Sequence, residues 1–320
     1  ESDPRPEAFD WVGTYIEILQ ALAAKHPLMI VLQDVVAVDD PQGVEVLEFL
    51  LRVERDCPVL VVLTTSSEDT DEAPPLHRLD GYDRFSNIEL SGLSPMALAQ
   101  LIDGLMPLEP ELRGAVVKAS AGLPIYAVEV LRSWTRENVL RRGPQGFLLD
   151  RLESLPASLN DLWNARLSVA AESFEKGPAL IDILVRAAVL GQPFTFATLR
   201  EVAHCEERDD LATLVGDAWS TWHAEGLWEQ IAPGKALFAH SSLQQAALHR
   251  AGTETVTALH RWSAQARLRA PSTGERAEIL AVARHYARAQ LPQESFPFYM
   301  RAARTAQRSG RSPAAIAHCT

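Results

Sequence analysis

Short apolar runs alternate with runs of helical spacing along the first ninety residues. Residues 7–25 repeat apolar side chains at helical spacing, whereas Leu28–Leu32 is short, apolar and rich in β-branched residues. The second run predicts a buried strand of a parallel sheet. A helix is predicted to start at Asp39-Asp40-Pro41, a second strand at residues 58–65, and a short third strand at Asn87–Leu90. Strands that alternate with helices predict an α/β fold, of which three strands would be a partial parallel sheet.

From Ser94 onward the pattern is mainly helical. Ser94-Pro95 predicts a helix start, and Gly122 predicts a helix stop. Residues 226–231 and 235–240 read as two short strands around a tight turn, preceded by helices, and this order is typical of a winged helix. Residues 244–320 are predicted to be helical, with breaks at 271–275, 291–293 and 309–313. Breaks about every 20 residues suggest tetratricopeptide-like helix pairs.

Length and composition exclude several classes of protein. The 320 residues allow two or three domains, and no window approaches 18 continuous apolar residues, so we expect no membrane span. The N-terminal residues are acidic and lack an apolar signal segment, which predicts a cytoplasmic location. The chain has no initiator Met, which suggests a fragment. Its three cysteines, Cys57, Cys205 and Cys319, are too far apart to suggest a metal site and indicate a reducing compartment.

The net charge of −12 is unevenly distributed. From Arg250 to the end there are 11 Arg and 4 Glu, a charge of +7, which leaves −19 on the rest of the chain. A basic segment can indicate nucleic acid binding. Here the arginines are spread around predicted helices without interleaved aromatic residues, which favours a solvated helical surface over a nucleic-acid site.

The candidate chemistry lies at the end of the first strand, where Gln33 is followed by Asp34. Nucleotide-binding α/β sheets place their catalytic groups at the carboxyl ends of strands. In a nucleotide hydrolase the first acidic residue there would hold Mg²⁺, and the next would polarise the attacking water. A neutral amide offers Mg²⁺ one oxygen without charge, so the site looks weakened. The alternatives are an acidic turn after a core strand, and a Gln33 amide that bonds a neighbouring strand.

Several segments together resemble the STAND class of AAA+-related signalling ATPases, in the bacterial forms attached to protein kinases, adenylate cyclases or LuxR-type regulators. The likeness runs in family order over nearly the whole chain. The segments that carry it are Gln33–Asp39, Thr64–Asp69, Leu90–Ser94, Ala121–Tyr126, Ala187–Phe194, Phe238–Leu243 and the helices from Leu259 onward.

The resemblance implies a role for five residues. Asp34 would be the catalytic acid, Gln33 stands where the Mg²⁺-binding acid is expected, and Ser66 stands where a sensor Arg is expected. Pro124 would pack against adenine, and His240 would touch the β-phosphate. Two of these residues have a simpler explanation, since Pro124 can start a helix and His240 can be a packing residue of the hairpin.

The phosphate-binding loop of the family is absent from the sequence. No G-x-x-x-x-G-K-[ST] occurs, and none of the four lysines follows a glycine-rich loop after a strand. In the family this loop lies on the first strand of the sheet, so we expect it upstream of residue 1. The resemblance implies ATP or ADP with Mg²⁺ in the intact protein. We expect no tight nucleotide binding by the chain itself, and weak or absent hydrolysis.

We therefore expect four domains and a regulatory function. Residues 1–92 would be the C-terminal part of a nucleotide-binding α/β domain and 93–150 a helical lid. Residues 151–250 would be a winged helix and 251–320 the start of the helical repeats. The expected function is a nucleotide-gated switch in signal transduction, with protein partners bound through the repeats, possible self-association, and no nucleic acid or membrane partner. The alternatives are a non-catalytic interaction scaffold and a winged-helix DNA-binding regulator.

Overall fold

The computed structural model describes residues 11–32, 47–48, 50–52, 58–65, 79, 81–149, 155–270 and 275–308, with backbone alone for 11–16, 275–277 and 306–308. The chain divides into two compact units. The first contains residues 1–89, 274–283 and 292–320, and the second contains residues 90–273 and 284–291. The described part is mainly helical, with small sheets of two or three strands.

The first unit contains the predicted parallel strands. Helix α1, Trp11–Ala23, precedes strand β1, Leu28–Leu32, and strand β2 is Val59–Leu63. The two strands pair in parallel, in register from Leu28 opposite Val59 to Leu32 opposite Leu63. An α/β segment that leads into a mainly helical region is therefore confirmed at this coarse level. Residues 47–48 and 50–52 are helical, as the pattern predicted.

Two predictions for this region are wrong. Strand β1 is not buried, because Met29 is 65% exposed and Val31 and Leu32 are exposed as well. Among the described residues the sheet has two strands, and no helix face covers these side chains. Asn87–Leu90 forms no strand, and Ile88 and Leu90 are highly exposed. An apolar run becomes a strand only where a neighbour accepts its backbone hydrogen bonds, and the described residues offer Asn87–Leu90 none.

The second unit begins with a three-helix subdomain, residues 95–149. Its elements are helices α2 (Pro95–Leu105), α3 (Pro110–Ser120) and α4 (Pro124–Arg136), followed by strands β3 (Leu140–Arg142) and β4 (Phe147–Leu149). Ser94 begins α2 as predicted, since its hydroxyl accepts a hydrogen bond from the Ala97 N–H at 3.2 Å. The strands form an antiparallel hairpin. The core of the subdomain includes Ile102, Leu112, Val116, Tyr126, Val130 and Leu162.

A second subdomain, residues 155–251, follows and is called here the helix–hairpin subdomain. Its elements are α5 (Leu159–Ser173), α6 (Gly177–Leu190), β5 (Phe194–Thr195), α7 (Phe196–Cys205), α8 (Asp209–Ala224), β6 (Trp228–Ala232), β7 (Lys235–Phe238) and α9 (Ser241–Ala251). Strands β6 and β7 form the predicted pair around a tight turn. Strand β5 pairs antiparallel with β7, which gives the order β5-β7-β6.

Aromatic side chains fill the space between this sheet and the helices. The ring of Phe194 lies 5.2 Å from Trp228 and 5.6 Å from Phe238, centroid to centroid. Trp222 is fully buried, and its indole N–H donates to the Leu180 carbonyl at 3.0 Å. Because buried aromatic rings contribute large apolar areas, this cluster fixes the short strands against α6 and α8.

Three further helices complete the described chain: α10 (Thr253–Arg269), α11 (Glu275–Arg288) and α12 (Pro292–Arg308). The break predicted at 291–293 is found where α11 ends and α12 begins at Pro292, and the break predicted at 309–313 lies outside the described residues. In the part of the chain that the structure describes, no helix is both long and apolar enough to cross a bilayer.

Candidate functional site

Of the five residues singled out from the sequence, the structure describes two. Gln33, Asp34 and Ser66 lie outside the described residues. Pro124 and His240 are described, in the three-helix and helix–hairpin subdomains respectively. Among the described residues, no group of three or more His, Cys, Asp or Glu side chains could hold a metal ion.

Two glycines, Gly92 just before α2 and Gly122 between α3 and α4, bring separate backbone segments into direct contact. The Leu93 N–H donates to the Gly122 carbonyl at 2.8 Å. A Cβ atom placed on Gly92 would lie 3.1 Å from the Gly122 Cα, closer than most side chains allow. Gly122 also has φ of +90°, a conformation that other residues rarely adopt. The close approach at Gly92 and the positive φ at Gly122 therefore both favour glycine where the two segments meet.

A shallow cavity of about 470 Å³ lies beside this glycine contact. It is formed by the segment before α2, the first turns of α2 and the C-terminal end of α3. The lining residues are Gly92, Leu93, Pro95, Leu98, Gly114, Val117, Lys118, Ala121 and Gly122. Lys118 is the single charged residue among them. A mostly apolar wall with one cation suits a largely apolar ligand better than a highly charged one.

Exposed apolar side chains flank the cavity on both chain segments. Leu90 and Met96 are 90% and 72% exposed on the first segment, and Leu123 is exposed on the second. Pro124 follows at the first position of α4 and is exposed. A proline is well suited to this helix position because the N–H it lacks would have no partner there. Helix initiation thus accounts for Pro124, and its ring remains accessible, but it does not line the cavity.

His240 lies at the N-terminal end of α9 and is half-buried. Its ring packs against Trp163 of α5, with centroids 5.8 Å apart. Trp163 is itself fixed, since its indole N–H donates to Ser242 Oγ at 3.1 Å and the Arg166 guanidinium lies 5.3 Å from its ring. His240 is not among the residues that line the cavity, so the structure does not unite the predicted adenine and phosphate contacts in that cavity.

Both glycines belong to segments that the sequence singled out, Leu90–Ser94 and Ala121–Tyr126, but the sequence did not predict that these segments are in contact. The available signal was the pair of Gly-Leu dipeptides at residues 92–93 and 122–123. No family model matches this chain, and no curated protein matches it either.

Proposed function

We propose that the chain is part of a cytoplasmic STAND-type regulatory ATPase that acts as a nucleotide-gated switch with weak or absent hydrolysis. The observation that carries the proposal is the contact between Gly92 and Gly122 and the cavity beside it. Both glycines belong to segments that resemble the family's sheet-to-lid link and Gly-x-Pro element. Glycines without side chains beside a cavity are a feature expected where a ligand approaches the backbone closely.

The described residues suit the base and sugar of a nucleotide better than its phosphates. The cavity offers one cation, Lys118, whereas a triphosphate needs backbone N–H groups and several positive charges. ATP carries one more phosphate group, and so more negative charge, than ADP, and a switch of this kind would respond to that difference. On this chain we expect binding of adenine nucleotides to be weak, with a Kd on the order of 1 mM.

The order of elements gives independent support. Helix α6, strand β5, helices α7 and α8 and the β6–β7 hairpin follow the order of a winged helix. The preceding three-helix subdomain has the size expected for a helical lid. The consecutive helices α10 to α12 agree with the start of tetratricopeptide-like repeats, through which we propose that protein partners bind.

The charge of α8 argues against the DNA-binding alternative. In a winged helix this would be the recognition helix, which must contact the phosphate backbone and the base edges. Its exposed residues include Asp209, Asp210 and Asp217, and the helix contains no Lys or Arg. An acidic helix would be repelled by phosphate, so binding to DNA through this face is disfavoured.

The scaffold alternative is favoured by a specific observation. His240, the candidate phosphate contact, already packs against Trp163, and the cavity has a single cation. A chain with these features could keep the shape of a switch without binding nucleotide. Direct measurement of nucleotide binding separates the two functions.

The test is equilibrium binding of ADP and adenosine, followed by NMR, to the chain and to its Gly92→Ala variant. The added methyl group would press on Gly122, so we expect affinity for both ligands to fall about fivefold or more, roughly 1 kcal/mol. Gly104→Ala is the matched control, because nothing lies within 4 Å of a Cβ placed there. If neither ligand binds the chain, the scaffold function replaces the switch.

A further inference from the structure

A buried carboxylate joins the three-helix subdomain to the helix–hairpin subdomain. Glu129 lies on α4, and its side chain is only 2% exposed. One carboxylate oxygen accepts a hydrogen bond from Arg132 Nη1 at 2.6 Å, and the other accepts one from Arg166 Nη1 at 2.6 Å. Arg132 is on the same helix, whereas Arg166 is on α5. The bond to Arg166 therefore crosses from one subdomain to the other.

The same arginine holds a second anchor at the end of α8. The Glu225 carbonyl accepts hydrogen bonds from Arg166 Nη2 and from Arg136 Nη2, the latter at 3.0 Å. Arg136 Nη1 also lies 3.3 Å from the Glu225 carboxylate. Glu225 caps the C-terminal end of α8, where the helix dipole is negative and attracts cations. Three helices are thus joined by one set of charge-assisted bonds.

The helix that carries Arg166 contributes side chains to two separate apolar cores. Helix α5 contributes Leu162 to the core of the three-helix subdomain, and Trp163 and Leu167 to that of the helix–hairpin subdomain. Arg166 lies on the same helix, with a side chain 12% exposed. The ionic bonds therefore connect α4 and α8 to the helix that contributes side chains to both cores.

We propose that Glu129, Arg166 and the Glu225 carbonyl form a clasp that locks the two subdomains in one orientation and opens as a discrete step. When Arg166 leaves, Glu129 retains only the bond to Arg132, and the Glu225 carbonyl retains only that to Arg136. A carboxylate that stays buried after it loses one of its charged partners is strongly unfavourable. A partly open state is therefore disfavoured, and the clasp is either closed or open with its charged groups hydrated. The proposal does not depend on nucleotide binding.

The electrostatics of Arg166 agree with a closed clasp. Burial lowers the pKa of its guanidinium, the nearby Arg136 lowers it further, and the Glu129 and Glu225 carboxylates oppose these effects. An arginine remains charged at neutral pH even so. Its charge is compensated in the closed form mainly by Glu129. Removing the charge of Glu129 should therefore release Arg166 rather than leave the geometry intact.

Hydrogen exchange measured by mass spectrometry on the whole chain tests the clasp, with Glu129→Gln as the main variant. We expect amide exchange at the C-terminal ends of α4 and α8 to accelerate about tenfold or more, equivalent to at least 1.4 kcal/mol. Exchange in α10, which contributes none of the residues of the clasp, should stay unchanged. Glu137→Gln is the matched control, because it removes an exposed carboxylate eight residues further along the same segment.

Two further variants keep the proposal falsifiable. The double variant Glu129→Gln with Arg166→Met leaves no unpaired buried charge, so it should exchange no faster than Glu129→Gln alone. If Glu129→Gln fails to fold, Arg136→Gln is the alternative variant, because it removes the more exposed of the two arginines that bond Glu225. It should accelerate exchange at the end of α8 alone. The proposal would be overturned if the effects of Glu129→Gln and Arg166→Met on exchange were strictly additive, or if exchange in α10 accelerated as much as at the ends of α4 and α8. It would also be overturned if Glu129→Gln exchanged like Glu137→Gln.

Discussion

The Nδ1 atoms of His260 and His285 lie 2.9 Å apart, where α10 and α11 pack together. Arg267 Nε donates a hydrogen bond to His285 Nε2 at 3.2 Å. Since a guanidinium can only donate, Nε2 of His285 carries no hydrogen, and Nδ1 of His285 must be the donor to His260. Both rings are then neutral, and His260 carries its hydrogen on Nε2. Arg267 thus determines the tautomers of both histidines.

Acidification should destabilise this interface. Burial lowers the pKa of both histidines, that of His260 to about 4, with Arg288 adding to the effect on His260 and Arg267 to that on His285. The Leu190 carbonyl of α6, which accepts from Arg267 at 2.9 Å, opposes the shift of His285 only weakly. Because both pKa values are lower in the folded state, the unfolded chain binds protons below about pH 6.5 while the folded chain does not. The free energy of unfolding therefore has its full value above pH 6.5 and falls as the pH drops towards 4. We expect a loss of up to about 1.4 kcal/mol per pH unit for each proton bound, measured by urea unfolding at several pH values.

The variant His285→Gln separates protonation from hydrogen bonding. A glutamine amide can accept from Arg267 and donate to His260, but it does not titrate. We expect the pH dependence of the free energy of unfolding to shrink, whereas His249→Gln, at an exposed position of α9, should leave it unchanged. A pH dependence that is the same in His285→Gln and in the unmodified chain would contradict the assignment.

Arg186 and Glu206 form a bidentate ion pair between α6 and the end of α7. Both nitrogen–oxygen distances are 2.8 Å, and Arg186 is 6% exposed. Replacing Glu206 by Gln leaves a buried guanidinium without its counter-charge, so we expect a loss of about 2–4 kcal/mol of stability. The exposed pair Arg208–Asp210 is the comparison, and Asp210→Asn should lower stability far less, because solvent screens an exposed ion pair. Similar losses in the two variants, measured by thermal unfolding, would show that burial does not set the strength of these pairs.

The features that the sequence predicted correctly depend on neighbouring residues. Ser94 and Pro95 start a helix because a hydroxyl and a proline satisfy the first turn locally, and Gly122 ends one because it tolerates φ of +90°. The β6–β7 hairpin follows equally from two short apolar runs around the turn that contains Gly234. None of these predictions requires knowledge of a distant partner.

The features that could not be predicted depend on residues far apart in the chain. Glu129 and Arg166 are 37 positions apart, and a charged residue on a helix is usually solvated, so nothing local indicates that Glu129 is buried. The exposure of Met29 likewise depends on what covers the sheet and not on the strand's own apolar run. For the candidate site, the sequence predicted that Pro124 can start a helix and that His240 can be a packing residue. The contact of Gly92 with Gly122 could be recognised only from the three-dimensional structure.

Two glutamine side chains connect α6, β7 and α9 in series. Gln244 Nε2 donates to the Ala188 carbonyl at 2.8 Å, Gln192 Nε2 donates to Gln244 Oε1 at 2.7 Å, and the Phe238 N–H donates to Gln192 Oε1 at 3.0 Å. Replacing Gln244 by Glu keeps the acceptor but removes the donor and points a carboxylate at a carbonyl. We expect a loss of about 1–3 kcal/mol in urea unfolding. Gln245→Glu, on the exposed side of the same helix, should change stability by less than about 0.5 kcal/mol.

His240 has two proposed roles that one pair of variants can separate. Its ring packs on Trp163, and the family resemblance implies a phosphate contact through a ring nitrogen. His240→Phe keeps an aromatic ring for Trp163 but has no nitrogen, whereas His240→Ala removes both. If His240 binds phosphate, both variants should weaken ADP binding several-fold while adenosine binding is retained. If His240 only packs, His240→Phe should bind ADP like the unmodified chain, and His240→Ala should lower stability by about 1 kcal/mol. Measuring ADP affinity and thermal unfolding on the same three proteins therefore assigns the role, because the phosphate contact changes affinity and the ring contact changes stability.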